Sequence, residues 1–577
     1  MAYSKNSVLK FLPASAWLTG YTASKFKSDL LSALIVIAML VPQGMAYAML
    51  AGLPPIAGLY ASILPMIVYA LFGSSPTLSI GPVAIISMMT FATLTPFYAA
   101  GSEAYIQAAC LLAVMVGIIS FLLGLFKFGF LIQLISHPVI HSFIIASALL
   151  IALGQIKFLL DIPLQSNNIP ELSISFYHYV NQTHWGTLLF GLASILFLVY
   201  LPKLLGLSHI QQRFRFAAFL VKAVPLILVV GSIALVSLLQ LDGVGIKTVG
   251  EIPSGFPPLS LPHWNLTLVL QLLPGASMIA MISFVESLSI AQATALQQRS
   301  ALNSNQELIA LGLSNLSAGL SSAFPVTGSL SRTVVNADAG AKTPMAGILS
   351  SSFIVVVSLF FTGFFQNLPL AILAATIIVS IWKLVDFKPF FETWHYSKAD
   401  GIAMWITFFG VIFIDISTGL ILGVISTFLL MLWRISRPHM VVIGLVEGTQ
   451  HFRNQQRYPV KTVDSILSLR IDESLNFLNA NSFKDFFINA LSEKKNVKYV
   501  VVNCSGVSRI DYSALEMLEE LDSELQKQNV ELHFSEVKGP VMDKLIHSKL
   551  FERLDGRIHL THYQAIQALD PEFLSPA

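Results

Sequence analysis

The chain has 577 residues, 55% of them apolar and only 11% charged, with a mean hydropathy of +0.71. That composition excludes a soluble globular enzyme and describes a polytopic membrane protein. The net charge of +2 is uninformative, and no nucleic-acid partner is expected; but 19 of the 32 acidic residues follow residue 440, so a soluble domain is expected at the C-terminus. The two cysteines, Cys110 and Cys504, fall one in each region and argue against a disulfide framework or a cysteine metal site.

In chain order, residues 1–29 read as a cytoplasmic N-terminal segment. The first apolar run, near Leu30, reads as a retained spanning helix and not a signal peptide. Leu30–Leu50 is the first span and is expected to break at Pro42-Gln43-Gly44. Ile56–Phe72 is the second. Gly73 to Pro82 is polar and punctuated by Pro and Gly, which predicts extended chain, followed by a short helix over 83–97. Ala104–Phe126 and His137 to about Ile156 follow. A polar loop is expected over 160–184, then spans at Thr187–Tyr200 and Ala217–Leu239, and a Gly/Pro-rich divider over 242–264.

The second half opens with Leu268–Ala295, interrupted by Glu286, and continues with Leu308–Ser321. Ser321 to Asn336 then repeats the grammar of 73–97. Pro325 biases its predecessor toward extended geometry, and Gly328, Ser329, Ser331 and Thr333 suit a helix start, so 322–327 is predicted extended and 328–338 a half-helix. Four more segments end near Trp433. The count is fourteen, seven per half. An odd number per half inverts the second copy relative to the first, the mark of inverted-repeat carriers, whose interrupted helices point to the binding site. Lys127, Lys203, Arg213, Arg215, Arg299, Lys342, Lys383, Lys388, Arg434 and Arg437 then fall on one side, which predicts both termini in the cytoplasm.

Beyond about Met440 strands are predicted at Ile466–Ile471, Val497–Val502 and Val530–Phe534, with amphipathic helices over 480–494 and 512–528: a small α/β domain. It lacks a phosphate-binding glycine loop and reads as a regulatory or assembly domain.

The chemistry concentrates at mid-membrane. A half-helix N-terminus with Arg332 in its first turn is an anion site. The alternative is a Pro-kinked helix whose Arg332 pairs with an acid. Ser329 and Ser331 offer hydroxyls, or merely small size for packing; Gln43 offers an amide, or interhelical glue. The helix after Pro82 points a second positive end at the midplane. Glu286 is the one acid placed deep in the apolar region, where a carboxylate costs roughly 2.5–3.5 kcal/mol. It suits a counter-ion to Arg332, a proton carrier or a sodium ligand, since desolvation favours its neutral form. His137 and His141 share a helix face but have no acids or cysteines beside them for a metal.

Val41-Pro-Gln-Gly-Met-Ala-Tyr-Ala48, Ser79-Ile-Gly-Pro-Val-Ala84 and Phe324-Pro-Val-Thr-Gly-Ser-Leu-Ser-Arg-Thr333 resemble the SulP family of anion transporters, relatives of prestin and pendrin. Arg509-Ile-Asp-Tyr-Ser-Ala-Leu515 looks like the signature of the STAS domain that follows such membrane domains. The resemblance implies a polytopic all-α membrane domain over 30–434, with repeats at about 30–240 and 268–434, in a seven-plus-seven inverted repeat carrying two half-helices. A cytoplasmic α/β STAS domain at 440–577 completes it. It also implies core and gate subdomains, elevator-like movement, a homodimer, and a possible cytoplasmic protein partner at the STAS domain. By the same resemblance Gln43, Val83, Ala84, Ser329, Leu330, Ser331 and Arg332 bind substrate, through backbone amides at Val83, Ala84 and Leu330, and Glu286 handles a coupling proton or sodium. No cofactor or metal is implied. The function implied is proton-coupled sulfate uptake in a bacterial inner membrane; sodium-coupled bicarbonate transport, proton-coupled dicarboxylate transport or a passive anion channel are the alternatives. STAS relatives switched by a serine kinase carry Ser after the Asp. Here Tyr512 follows Asp511, a departure at that position.

Overall fold

A computed structural model of the chain describes residues 13–130, 136–164, 168–205, 217–298, 302–382 and 384–574. Arg213, Arg215, Arg299 and Lys383, part of the charge pattern above, lie outside the described residues. The chain divides into two compact units, Met1–Thr427 and Phe428–Ala577.

In the first half of the chain the helices that build the passes are α1 (Ala23–Leu50), α2 (Pro55–Tyr60), α3 (Leu64–Phe72), α4 (Ala84–Leu94), α5 (Glu103–Leu125), α6 (His137–Gly154), α7 (Trp185–Leu205) and α8 (Ala217–Leu239). The second half has α9 (Leu266–Gln298), α10 (Ser304–Leu320), α11 (Leu330–Asp338), α12 (Met345–Phe360), α13 (Leu370–Trp382), α14 (Lys398–Phe413) and α15 (Ile416–Ser436). Taking α2 with α3 as one pass, these group into fourteen passes, seven from each half. Two of them, those of α4 and α11, are only half helical. Each is completed by extended chain with a two-residue strand, β1 (Ile80–Gly81) and β2 (Thr327–Gly328). Unpaired backbone inside a bilayer is costly, and the two strands solve this by pairing with each other, antiparallel, Ile80 with Gly328 and Gly81 with Thr327.

The scaffold behind the ladder is tight. Helices α5 and α10 pack along each other. A Cβ added at Gly312 would meet the Phe121 amide nitrogen at 2.5 Å, and one at Gly319 the Cys110 carbonyl oxygen at 2.5 Å. Small residues here let the backbones touch, as membrane helix pairs require.

Three expectations need correction. Helix α1 runs unbroken through Pro42-Gln43-Gly44, and α9 through Glu286. Proline removes one intrahelical bond, a loss a long buried helix tolerates; the two repeats therefore share a broken third element but not a broken first. The 160–184 loop holds a helix, Ile169–Tyr179, whose Asn168 side chain accepts from the Glu171 amide. Asn168, Pro170 and Glu171 form a helix-start signature legible in the sequence. Finally, Glu286 is half-buried, and two acids that the sequence did not single out, Asp29 and Glu307, are fully buried.

The C-terminal unit carries a six-stranded sheet in the order β4-β3-β5-β6-β7-β8. Strands β5 (Ile466–Ile471), β6 (Tyr499–Asn503), β7 (Glu531–Ser535) and β8 (Ile558–His559) pair in parallel; β3 (Met440–Leu445) and β4 (Phe452–Asn454) add an antiparallel edge not anticipated from the sequence. Helices α16 (Ala480–Ser492) and α17 (Tyr512–Lys527) contribute to the main core, with Phe483, Phe487 and Leu518 among Leu469, Val502 and Phe534. Helix α18 (His562–Leu569) packs Ala565 and Ile566 with Ile466 and Val501. Strands buried on both faces read as continuous apolar runs, which is why β6, with Val500 to Val502, was legible.

Candidate functional site

The site starts from the two-strand ladder. One residue past β2, the Ser329 amide donates to the Ser79 carbonyl at 2.9 Å. Helix α4 then begins behind Val83 and α11 behind Ser329, both extended in backbone and neither supplying a side-chain cap. The first intrahelical bonds are Ser87 N to Val83 O and Thr333 N to Ser329 O. The amides ahead of them, Ala84 to Ile86 and Leu330 to Arg332, are left as donors at two positive helix ends.

Arg332 sits in the first turn of α11 and is fully buried. Its Nη1 donates to the Pro82 carbonyl at 2.9 Å, while Nε and Nη2 have no acceptor from the protein. It therefore spans the two halves and still has donors to give. A Cβ on Gly81 would lie 3.1 Å from Nη2, at a φ of +154° that disfavours other residues. Ser329 and Ser331 hydroxyls are 3.4 Å apart; Ser329 is buried, Ser331 and Leu330 exposed.

Helix α1 passes both half-helices. Gln43 on it is buried, with Oε1 unpartnered. One turn on, Tyr47 lies within electrostatic range of both Arg332 and Glu286. The sequence reading missed Tyr47, although its i, i+4 spacing from Gln43 puts both on one face. Ser79 and Asn336 were not singled out either, and Thr333 only as a helix starter, although their bonds hold the site together. Glu286 on α9 is half-buried and interacts electrostatically with Arg332; its Oε2 has no partner. Val83, Ala84, Ser329, Leu330, Ser331 and Arg332 are thus gathered at the ladder, with Gln43 and Glu286 on the neighbouring helices.

A cavity of about 280 Å³ opens at this point, walled by Ile85, Glu286, Leu330, Phe143 and Leu420 among others. Its apolar lining strengthens any charge interaction inside it. A larger cavity, about 460 Å³, lies beside Phe91, Thr95, Lys157 and Asp415. It meets the C-terminal, negative end of α4 and carries two acids, Glu171 and Asp415, so it is the poorer place for an anion. Among the described residues no group of three or more His, Cys, Asp or Glu side chains is placed to hold a metal.

Three acids of the membrane domain differ in kind: Asp29 and Glu307 are fully buried and Glu286 is half-buried. Asp29 accepts from the Lys342 and Thr343 amides at 2.7 and 3.2 Å, from the Thr343 hydroxyl at 2.6 Å and from Tyr21 at 3.1 Å. Glu307 accepts from Tyr69 at 2.8 Å, from the Ser74 amide and hydroxyl at 2.8 and 2.6 Å, and from the Ser75 amide at 3.2 Å. Both are structural pins, saturated with donors. Of these three, Glu286 keeps an oxygen without a hydrogen-bond partner.

Two opposed half-helix N-termini, a fixed guanidinium and a largely apolar cavity, set in fourteen membrane passes, define a multi-pass membrane transporter for anions. Comparison with known proteins agrees. Residues 26–407 match the sulfate permease family and residues 457–565 the STAS domain. The chain is 35% identical over 536 residues to the chloroplastic sulfate transporter 4.1 of Arabidopsis thaliana, covering 91% of this chain and 77% of that protein. It is 30% identical over 570 residues to a probable sulfate transporter of Mycobacterium tuberculosis, covering 96% and 99%. The fold matches murine Slc26a9, an anion transporter solved in the inward-facing state, with TM-score 0.90 at 23% identity over 99% of this chain and 96% of that one. It matches the transmembrane domain of the cyanobacterial bicarbonate transporter BicA with TM-score 0.59 at 21% identity, over 70% and 98%. The chain belongs to the sulfate permease family: it is a transporter, not an enzyme, with an inverted-repeat membrane domain and a C-terminal STAS domain.

Proposed function

We propose that this protein carries sulfate inward with protons, the anion held between the amides of α4 and α11 and by Arg332, the proton by Glu286. The observation that carries the reading is the contrast between Glu286 and the two fully buried acids of the membrane domain. Two spend both oxygens on fixed donors; Glu286 faces the same cavity as Leu330 with Oε2 free to take a proton. Moving a dianion against a potential of 100 mV, negative inside, costs about 4.6 kcal/mol at roughly 2.3 kcal/mol per charge. One accompanying proton halves that cost, and Arg332 returns with the site and adds no net charge. Sulfate relatives support the choice of anion. In this reading the half-helices move as one body past the gate helices, the chain works as a homodimer in a bacterial inner membrane with both termini cytoplasmic, and the STAS domain docks a cytoplasmic protein.

The test is uptake of labelled sulfate into proteoliposomes. An imposed inward proton gradient is expected to drive accumulation above equilibrium. Glu286→Gln is expected to retain exchange of sulfate across the membrane but lose gradient-driven accumulation. Retained accumulation in that variant refutes the proton role; accumulation driven by sodium alone moves the coupling ion to sodium.

A further inference from the structure

The buried residues of α11 are Arg332, Thr333 and Asn336, one face of a short helix. Each reaches the extended segment that launches α4. Arg332 meets the Pro82 carbonyl, the Thr333 hydroxyl accepts from the Ser79 amide at 3.1 Å, and the Asn336 side-chain amide donates to the Thr77 carbonyl at 2.8 Å. As the helix descends from 332 to 336, its partners descend from 82 to 77. The half-helix is therefore zipped along the opposite repeat's extended chain, beyond the two residues of the ladder. At its far end Asn336 is also tied to α1. The Ser32 hydroxyl lies 2.6 Å from Asn336 Oδ1 and 3.0 Å from its carbonyl, and can donate to either.

We propose that Asn336 is a positioning residue that fixes the gap between the two half-helix N-termini, and that this gap sorts tetrahedral oxyanions by size. This rests on the anion site assigned above. Asn336 lies six residues past Leu330, about 9 Å along the helix at roughly 1.5 Å per residue, too far to touch an anion at the first amides. It acts through leverage. With the ladder as pivot, the Asn336–Thr77 bond fixes the tilt of α11, and the tilt fixes where the Leu330 to Arg332 amides stand relative to those of Ala84 to Ile86. A misplacement of a fraction of an ångström changes which oxyanion fills the gap, because close polar contacts lose strength steeply with distance and angle.

The variants are Asn336→Ala, Asn336→Asp and Ser32→Ala in the full-length chain, reconstituted in liposomes. Asn336→Asp keeps the size and still accepts from Ser32, but loses the donor to Thr77. Ser32→Ala removes only the tie to α1. The readout is the apparent KM for sulfate, selenate and molybdate, which share geometry and charge but increase in size. Both Asn336 variants are expected to raise the sulfate KM about tenfold, the scale of one lost hydrogen bond, and to bring the molybdate-to-sulfate KM ratio toward one. Ser32→Ala is expected to leave that ratio at the wild-type value. A role in folding alone would lower the maximal rate for every anion and leave the ratio unmoved. An unchanged ratio in folded Asn336→Asp overturns the proposal. Should Asn336→Ala not fold, Asn336→Asp still decides it. If wild-type protein moves another anion and not sulfate, the substrate assignment fails alone, and the same ratio over that anion's size series still tests Asn336.

Discussion

Arg332 and Pro82 stand 250 residues apart in sequence, and the guanidinium of one donates to the carbonyl of the other at 2.9 Å. The charge proposed to hold the anion is thereby anchored to the opposite repeat. A lysine could supply the charge but not the fork, which here gives one donor to backbone and keeps Nε and Nη2 free. Arg332→Lys is expected to weaken sulfate binding by about 1.5–3 kcal/mol, ten- to a hundredfold, with folding intact. Isothermal titration with sulfate in detergent measures it; unaltered affinity removes Arg332 from the site.

Gly81 lies under that guanidinium. Gly81→Ala puts a methyl 3.1 Å from Nη2 at a strained φ, so it is expected to cost affinity and about 1–3 kcal/mol of stability. Gly58→Ala is expected to be harsher, since its Cβ would overlap the Gly44 carbonyl oxygen, which belongs to a buried backbone with nowhere to go. Thermal unfolding and sulfate titration on both variants separate the two: Gly81→Ala folds and binds weakly, Gly58→Ala yields little folded protein.

Glu307 pins the Ser74–Ser75 turn from which the first extended segment leaves. Glu307→Ala strands several buried donors and is expected to destabilise the membrane domain by about 3 kcal/mol or more. Glu286→Gln, which removes no hydrogen-bond partner, is expected to leave the unfolding midpoint near that of wild type. Parallel thermal melts test the pair, and equal losses would remove the distinction between pin and carrier.

In the STAS domain His562 is buried between two serines, 2.8 Å from the Ser535 hydroxyl and 3.0 Å from that of Ser468. Burial pushes its pKa from 6.5 down to about 3. The unfolded chain therefore binds a proton that the folded domain refuses. This contribution is complete above pH 6.5 and is lost progressively as pH falls from 6.5 toward 3, a change on the order of a few kcal/mol. Hydrogen exchange at pH 7 and pH 4.5 is expected to show protection falling in β5, β7 and α18, with a flatter profile in His562→Asn. Equal pH dependence in both proteins would assign the effect elsewhere.

Local chemistry made the outline legible. Gly73 to Pro82 and Ser321 to Gly328 announce extended chain through Pro and Gly, and the helices beyond them follow from backbone rules alone. Arg332 and Glu286 stood out because charge in an apolar run is costly. The remainder depends on partners far away in sequence. Nothing near Pro42 says that its helix continues, because packing decides that. Asp29 and Glu307 look like surface acids at the mouths of spans until remote amides close over them. Asn336 reads as an ordinary polar residue late in a helix until Thr77 arrives from the other repeat. Helix Ile169–Tyr179 is different: its cap, proline and acid were all local.

The strand pair at the centre takes one member from each half of the chain, and this bears on synthesis. When the ribosome has delivered only the first half, the backbone of Ile80 and Gly81 has entered or approached the bilayer without its mate. Those groups wait for Thr327 and Gly328, so the pocket is among the last features to exist, and truncated translation products cannot hold the solute. A chain severed in the 242–264 connection should recover activity only when both fragments are made together.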